Sequence, residues 1–263
     1  MPKYDLIMPI GSACKTTYNL RQRKLQRESL PFDWIWLPTI EVVAGMLRDK
    51  FGSFLLKENL EFKPSQIIDH DIFIDHGCGV EFWHDFPYQT DLDRDYGEIK
   101  TKYNRRIKRM YENIRAAKRI LLFRTVIVKP GHKPEDLYDD EMIADDLLLK
   151  QAEELFALFP GRKVDLVYVN LFLDPHEYKE VRLSDNLLKI EAHTPEKDEW
   201  IGNQKLFDQI LSPYDLSLPA KIRYWFKNLK FKTRKNLIKF GALLKIKSCQ
   251  EKKEILKDRF RAD

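Results

Sequence analysis

The sequence predicts an α/β fold in which a mostly parallel sheet carries helices on both faces. Two observations support this prediction. Short runs that are apolar along their whole length alternate with segments of amphipathic helical spacing, and this alternation is typical of strands that are covered on both sides. The chain also has 263 residues, 43% of them hydrophobic, which suffices to bury one sizeable core.

Four apolar runs predict the strands of the central sheet, because they are too apolar to lie at a surface. They span residues 4–10, 120–124, 164–169 and, more weakly, 187–192. A further pair of strands, at 72–74 and 80–84, flanks a turn that contains two glycines. This pair predicts a local two-stranded segment.

Helices are predicted where apolar residues recur at helical spacing. These segments are 39–51, 96–118 and 140–159. Thr39 occupies the expected N-cap position of the first, since its hydroxyl can accept a bond from an unpaired backbone N–H. Residues 11–13 turn the first strand into another helix, and Cys14 lies in the first turn of that helix.

The charges are distributed unevenly along the chain. The net charge is +5, but residues 219–263 contain 15 Lys or Arg against 4 Asp or Glu, whereas the preceding 218 residues contain 31 against 37. A mildly acidic body is therefore followed by a strongly basic segment. We predict two domains, an α/β catalytic domain at 1–218 and a basic amphipathic helical tail at 219–263.

The sequence favours a location in the cytoplasm. No apolar run approaches the roughly 18 residues of a membrane span, and the N-terminus lacks the apolar stretch of a secretion signal. Three scattered cysteines, Cys14, Cys78 and Cys249, are too few for a disulfide framework, which fits a reducing compartment.

Cys14 is the first candidate for chemistry. A helix N-terminus carries partial positive charge and unpaired amides, which can lower the pKa of a thiol and supply a thiolate near neutral pH. The alternative is that Cys14 is a small apolar residue packed under the sheet. Its position alone leaves both interpretations open.

Three fragments of the sequence together resemble a known family. The first comprises 11–14, 20–21, 25 and 29–35 (Ser-Leu-Pro-Phe-Asp-Trp-Ile), the second 82–86 (Phe-Trp-His-Asp-Phe), and the third 102–109 (Lys-Tyr-Asn-Arg-Arg-Ile-Lys-Arg) with 123–124. They are similar to the bacterial family described as "putative papain-like cysteine peptidases". The resemblance covers about half of the chain, between roughly residues 5 and 170.

The resemblance implies a Cys-His centre with Cys14 as nucleophile and His84 as base. It also implies a papain-like α+β fold as the alternative to the α/β fold, and a place among genes for surface polysaccharides. The sequence departs from the papain pattern, because no Gln precedes Cys14 closely and no Asn-Ser-Trp follows the histidine.

His84 is also the histidine that position favours, because it ends an aromatic strand beside an acid, where a base can be held and oriented. A third residue would orient its imidazole. Asp33 and Asp85 are the candidates, and we prefer Asp33, since neighbours on a strand, such as His84 and Asp85, point to opposite faces. Asp33 is flanked by Phe32 and Trp34 and is expected to be buried with a partner.

Five residues are assigned to substrate binding: Gly11, Ser12, Trp34, Arg106 and Arg124. A buried guanidinium requires an anion, so Arg106 and Arg124 must pair with a protein carboxylate such as Asp33 or with a substrate phosphate. The spacing of His76, Cys78 and His84 matches no common closed zinc site. We therefore expect neither a metal nor a cofactor.

The basic tail contains two apolar stripes. Ile222, Trp225, Phe226 and Leu229 form the first, and Leu237, Phe240 and Leu244 begin to repeat it. Such helices suit an anionic membrane surface. Nucleic acid is disfavoured as a partner, because the body is acidic and no base-stacking module is visible. A helix that docks on its own domain or on a second copy is the structural alternative.

These observations predict a cytoplasmic thiol-dependent hydrolase or acyl transferase, peripheral on the inner membrane face, with a small-molecule or glycan-linked substrate. A role in surface-polysaccharide assembly follows from the resemblance alone. Two alternatives belong to other classes. One is a nucleotide-sugar-binding, glycosyltransferase-like protein whose turn at 11–14 cradles a phosphate. The other is a catalytically inactive scaffold for glycan enzymes.

Overall fold

A computed structural model describes residues 2–64, 70–128, 143–194, 201–227 and 229 of the chain. The chain divides into two compact units, Met1–Leu216 and Ser217–Asp263. In the second unit, residues 218–227 form a helix. The second apolar stripe, from Leu237 onward, and Cys249 lie outside the described residues. The functional division into a catalytic domain and a tail stays a prediction.

The elements of the first unit occur in the following order. They are β1 (Lys3–Tyr4), β2 (Leu6–Pro9), α1 (Cys14–Gln22), β3 (Ile35–Trp36), α2 (Ile40–Arg48), a short 3₁₀ helix (Lys57–Asn59), β4 (Leu60–Lys63), β5 (His70–Asp75), β6 (Val80–Pro87), α3 (Leu92–Ala116), β7 (Arg119–Val128), α4 (Asp145–Phe156), β8 (Lys163–Phe172), β9 (Lys179–Ser184), β10 (Leu187–His193), α5 (Gln204–Leu211) and β11 (Asp215–Leu216).

The central sheet has five strands in the order β2-β7-β8-β10-β9. The first four are parallel, with Leu6 opposite Ile120 and Ile120 opposite Val164, and only the edge strand β9 is antiparallel. Both faces of β7 and β8 are buried along most of their length, as expected of strands covered by helices on two sides. The predicted α/β fold with a mostly parallel sheet is confirmed, and the papain-like α+β alternative does not describe it.

The predicted helices are present with shifted ends. Thr39 caps α2 as expected, since its hydroxyl accepts a hydrogen bond from the Val42 N–H. The helix predicted at 96–118 begins at Leu92, because the Asp91 side chain caps it by accepting from Asp93 N and Arg94 N. The helix predicted from residue 140 is described from Asp145.

A second sheet of four strands, in the order β3-β6-β5-β4, is antiparallel and separate from the first. The predicted strand pair around 75–79 forms its centre. The sequence did not predict β3, because its two residues lie within an aromatic segment too short for strand periodicity to emerge.

Aromatic packing holds this second sheet against α3. The ring centroid of Phe54 lies 5.6 Å from that of Phe82 on β6 and 5.2 Å from that of Tyr103 on α3. All three side chains are buried, and burying each Phe contributes about 1.5–3 kcal/mol to stability. The contact fixes the position of β6 relative to α3.

None of the described helices combines the length and the apolar character needed to span a bilayer.

Candidate active site

The turn before α1 is held by close packing and by β7. A Cβ on Gly11 would lie 1.9 Å from Thr16 Oγ1, so this position tolerates no side chain while Thr16 stays in place. Ser12 donates both its backbone N–H and its hydroxyl to the Thr125 carbonyl. Both residues therefore serve the turn itself, and the predicted substrate-binding role of Gly11 and Ser12 receives no support from their contacts.

Cys14 is the first residue of α1 and is partly buried. Burial raises the pKa of its thiol, while the backbone N–H groups of Cys14 and Lys15 and the Lys15 ammonium act in the opposite direction. The expected lowering of the pKa by the helix N-terminus is thus outweighed. A raised pKa disfavours the thiolate, so Cys14 needs a base to become a nucleophile.

Asp33 lies at the centre of the loop between α1 and β3. It is fully buried, and its carboxylate accepts hydrogen bonds from the Leu30 N–H, from Gln26 Nε2 and from the Arg21 guanidinium at 2.8 Å. Burial raises the pKa of Asp33, and Arg21 and the hydrogen-bond donors oppose that rise.

The contacts of Asp33 give no support to the expectation that it orients the His84 imidazole, so that role stays a prediction. Its carboxylate accepts from three donors of its own loop and of α1, Arg21, Gln26 and Leu30. The carboxylate instead ties the loop to Arg21, in the last turn of α1.

His84 lies on an irregular part of β6. Asp71 pairs with Phe86 and Phe73 pairs with Phe82, so three residues of β6 stand opposite the single residue Ile72. Such bulges re-aim side chains and are common beside active sites. The imidazole of His84 is exposed.

Two aromatic rings contact the His84 imidazole edge-on. The Trp34 ring centroid lies at 6.3 Å and the His70 ring centroid at 5.8 Å. The Arg21 guanidinium lies 5.3 Å from the Trp34 centroid, so Trp34 stands between a cation and an imidazole. This places His84 near the Arg21 end of α1.

Cys14 and His84 are not joined by a hydrogen bond in the described structure. Seven residues of helix, or about 10 Å of axis, separate Cys14 from Arg21. At the other end of the segment, the Leu37 N–H donates to the Ser12 carbonyl, so the residues from Trp34 to Leu37 connect the neighbour of His84 to the turn before Cys14. The catalytic pair stays a prediction.

Asp85 is a second buried acid near the candidate site, and its partners come from α3. Its carboxylate lies 2.7 Å from Lys102 Nζ and 3.7 Å from the Arg106 guanidinium, and it accepts a 2.6 Å hydrogen bond from the Tyr103 hydroxyl. Burial raises the pKa of Asp85. The charges of Lys102 and Arg106, together with the hydrogen bonds, lower it by more than burial raises it, so the pKa lies below its usual value. Asp85 is thus a buried anion.

Arg106 is buried as predicted, but its nearest carboxylate is Asp85, not Asp33. Its charge also acts to lower the pKa of Asp33, against the rise that burial causes, so the guanidinium is close enough to affect both acids. The guanidinium further lies 5.1 Å from the Tyr103 ring centroid. These contacts favour a structural ion pair over the predicted contact with substrate.

Arg124 also has a structural environment. It is 1% exposed, and its two terminal nitrogens donate to the carbonyl oxygens of Ile10, Leu37 and Pro38. These bonds join the middle of β7 to the residue before the α1 turn and to the segment after β3. A side chain buried in this way does not reach a substrate, so its assignment to substrate binding is not supported.

The three family-like fragments therefore meet in space. Asp33 from the first, Asp85 from the second and Arg106 from the third form one buried charge cluster, with His84 and Trp34 at its edge. Sequence reasoning missed Arg21, Lys102 and Tyr103, although all three lie inside the quoted fragments. For Lys102 and Tyr103 a sequence signal existed, because their helical spacing to Arg106 puts all three on one side of α3.

A possible metal site and a cavity elsewhere in the described chain were also considered as functional sites. Among the described residues, no three His, Cys, Asp or Glu side chains are grouped so that they could hold a metal ion. A cavity of about 230 Å³ is lined by Met46, Phe51 and Cys78, among others, but not by Cys14 or His84. Burial and the adjacent Asp75 carboxylate raise the pKa of the Cys78 thiol, which leaves Cys78 a poor nucleophile.

Comparison with known proteins agrees with the resemblance in the fragments. One curated relative is an uncharacterized protein of Acanthamoeba polyphaga mimivirus, 27% identical over 192 residues, which are 67% of this chain and 79% of the relative. This relative is viral, so the expected bacterial context stays a prediction. No solved structure matches the chain. The model of one family matches residues 5–144, which contain Cys14, Asp33 and His84. The chain belongs to the family described as "Putative papain-like cysteine peptidase".

Proposed function

We propose that the protein is a thiol-dependent hydrolase or acyl transferase with Cys14 as its nucleophile. One observation carries the proposal. In a chain of this family, the thiol lies at the N-terminal end of α1, where two backbone N–H groups and the Lys15 ammonium stabilise its anion. A cysteine at such a position can form a thiolate when a base removes its proton.

The reaction would begin with transfer of the Cys14 proton to a base. The sulfur then attacks the carbonyl carbon of an acyl substrate, and the leaving group departs with the proton that the base returns. The product is a thioester on Cys14. Attack by water completes hydrolysis, whereas attack by another hydroxyl or amine completes acyl transfer.

We assign the base to His84. Its exposed imidazole is mounted on the bulged part of β6, and the next residue, Asp85, is fixed by Lys102, Tyr103 and Arg106 of α3. A rigid mount of this kind holds a catalytic group within a narrow range of positions. Trp34, which contacts His84 edge-on, offers an apolar surface beside it for a substrate.

The raised pKa of Cys14 makes this base necessary. A preformed thiolate-imidazolium pair would require a lowered thiol pKa, and burial acts in the other direction. The proposal is therefore a general-base mechanism, in which the thiol loses its proton only when a substrate brings thiol and imidazole together.

The contacts of the turn disfavour the phosphate-cradle alternative. A phosphate site needs backbone amides that point outward and glycines that let a ligand approach. Here Thr16 fills the space beside Gly11, and the Ser12 amide is bonded to Thr125. The acyl-transfer chemistry, the glycan-linked substrate and the role in surface-polysaccharide assembly remain predictions that these contacts do not address.

A chromogenic acetyl ester tests the nucleophile without knowledge of the natural substrate. The full chain is incubated with p-nitrophenyl acetate, and the acetylated residue is located by peptide mass spectrometry. We expect acetylation of Cys14, its loss in Cys14→Ser, and a clear slowing in His84→Gln. Cys78→Ala is the matched control, since Cys78 is also a partly buried thiol, and it should react like the wild type. Unchanged ester cleavage by Cys14→Ser would refute the proposal, whereas absence of any acetylation of Cys14 in the wild type would favour the inactive scaffold.

A further inference from the structure

The 218–227 helix has an unusually exposed apolar face. Leu218, Ile222, Trp225 and Phe226 are 67%, 45%, 59% and 57% exposed, and Leu229, just beyond, is 46% exposed. Residues 218, 222, 225 and 229 follow helical spacing and form a single stripe. Ala220 and Tyr224, on the other side of the helix, are buried. One side of the helix is therefore buried, and the opposite, exposed side is apolar.

This concentration is local to the helix. Elsewhere in the described part of the chain, the exposed large hydrophobic residues are Phe62, Tyr88 and Leu147, which are scattered through the first unit. Single exposed apolar residues are ordinary on protein surfaces, whereas a contiguous apolar stripe marks an interaction site.

The charge around the stripe indicates what covers it. Lys221 lies beside the stripe, Arg223 and Lys227 lie further round the same helix, and residues 219–263 carry 15 basic against 4 acidic side chains. The core of a protein–protein interface is usually depleted in Lys. An anionic bilayer, in contrast, accepts apolar and aromatic side chains at its headgroup boundary and Lys or Arg at its phosphates. We propose that this helix attaches the protein to the surface of an anionic lipid membrane.

The attachment is peripheral and has two components. The apolar stripe enters the headgroup boundary, and the basic side chains bind anionic headgroups through charge that salt screens. Binding therefore depends on both anionic lipid and the exposed aromatic pair Trp225 and Phe226. The inference does not depend on Cys14 chemistry, because the stripe and the thiol are separate features of the chain.

Vesicle sedimentation of the full chain tests the proposal. The vesicles contain phosphatidylcholine alone or phosphatidylcholine and phosphatidylglycerol in a roughly 3:1 ratio, at low salt and at about 0.15 M salt. We expect binding only to the anionic vesicles and weaker binding at the higher salt. Trp225→Ala/Phe226→Ala should lower the partition coefficient about tenfold or more, since two large apolar side chains no longer enter the bilayer.

A matched control removes an exposed aromatic residue from the first unit. Phe62, 51% exposed on β4, is replaced in Phe62→Ala, which should bind like the wild type. Quenching of tryptophan fluorescence by brominated phosphatidylcholine gives a second readout that needs no destabilising change. The quenched component should disappear in Trp225→Phe.

Several outcomes would overturn the proposal. Equal binding to neutral and anionic vesicles, absence of binding to both, or unchanged binding of the aromatic double variant each contradict it. Retention on duplex DNA without any binding to vesicles would assign the basic segment to nucleic acid. A concentration-dependent dimer that buries Trp225 and does not sediment with vesicles would assign the stripe to a second copy.

Discussion

Replacement of Asp85 by Asn tests whether the charge cluster of the three fragments holds the fold together. The change keeps the size of the side chain but removes its charge. It leaves Arg106, whose side chain is 6% exposed, without its nearest carboxylate, and it weakens the bonds from Lys102 and Tyr103. A buried cation that loses its counter-charge is among the most destabilising changes known.

The magnitude follows from the distances. At an effective dielectric constant of about 20, two unit charges attract by roughly 6 kcal/mol at the 2.7 Å of the Lys102 pair and roughly 4 kcal/mol at the 3.7 Å of the Arg106 pair. The cost of burying the charges offsets most of this attraction. Lys102, 27% exposed, can turn toward water, but Arg106 cannot. We therefore expect Asp85→Asn to lower the free energy of unfolding by about 3–5 kcal/mol.

The assay is urea unfolding of the full chain near pH 7, with Asp93→Asn as control. Asp93 also pairs with a lysine, Lys57, but the carboxylate is exposed, and exposed pairs contribute little. The control should unfold like the wild type. Adding Arg106→Met to Asp85→Asn should recover part of the loss, because the buried guanidinium that lost its nearest carboxylate is then removed as well.

The pH dependence has a definite sign. The pKa of Asp85 is lower in the folded protein than in the unfolded chain, so its stabilisation is fully present above the unfolded value of about 3.9 and is lost as the pH falls below it. The difference between wild type and Asp85→Asn should be constant from pH 8 to about pH 5 and shrink in acid. A loss of under about 1 kcal/mol at pH 7 would refute the interpretation of Asp85 as a buried ion-pair acceptor.

Two further predictions concern the turn before α1 and the thiol. Gly11→Ala places a methyl group 1.9 Å from Thr16 Oγ1 and should lower the free energy of unfolding by about 1–3 kcal/mol in thermal unfolding. Gly97→Ala in α3, whose new Cβ meets nothing within 4 Å, should raise it by about 0.5–1 kcal/mol. If Gly11→Ala were the more stable of the two variants, the packing argument would be contradicted. Because burial raises the pKa of Cys14, its alkylation by iodoacetamide should be slower than that of a model thiol at pH 7 and should rise in alkali. A rate midpoint below pH 7 would show that the helix N-terminus dominates after all.

The periodic parts of the fold could be predicted from sequence. The strands at 120–124 and 164–169 are apolar on both faces, and such runs belong to buried parallel strands. The helix around α3 followed from apolar spacing, and Thr39 from the chemistry of an N-cap. In these cases the local pattern and the tertiary structure impose the same requirement.

Other elements carried no such pattern. β3 has two residues, and β9 is an edge strand without a buried side chain. Short or edge elements are specified by their neighbours rather than by their own periodicity. The sequence could therefore predict the parallel sheet and the central pair of the second sheet, β5 and β6, but not the outer strands β3 and β4.

The partners of charged residues were the hardest part to predict. Burial of Asp33 and Arg106 could be inferred from their apolar neighbours, because buried charges need partners. The identity of each partner depends on how the loops and helices pack in the folded chain. Asp33 pairs with Arg21, and Arg106 pairs with Asp85. The pKa of Cys14 depends in the same way on how deeply the thiol is packed, which helix position alone does not determine.

This division of roles bears on what membership of the family means. Most polar residues of the three fragments stabilise the scaffold: Asp33 and Arg21 fix the loop, and Asp85 and Arg106 fix β6 on α3. A chain could keep all of these contacts, and with them its similarity to the family, whether or not it turned over a substrate. The proposed catalysis therefore depends on Cys14, a partly buried thiol, and on His84, whose imidazole is exposed. Acylation of Cys14 and its dependence on His84 are consequently stronger evidence for an enzyme than any further sequence similarity would be.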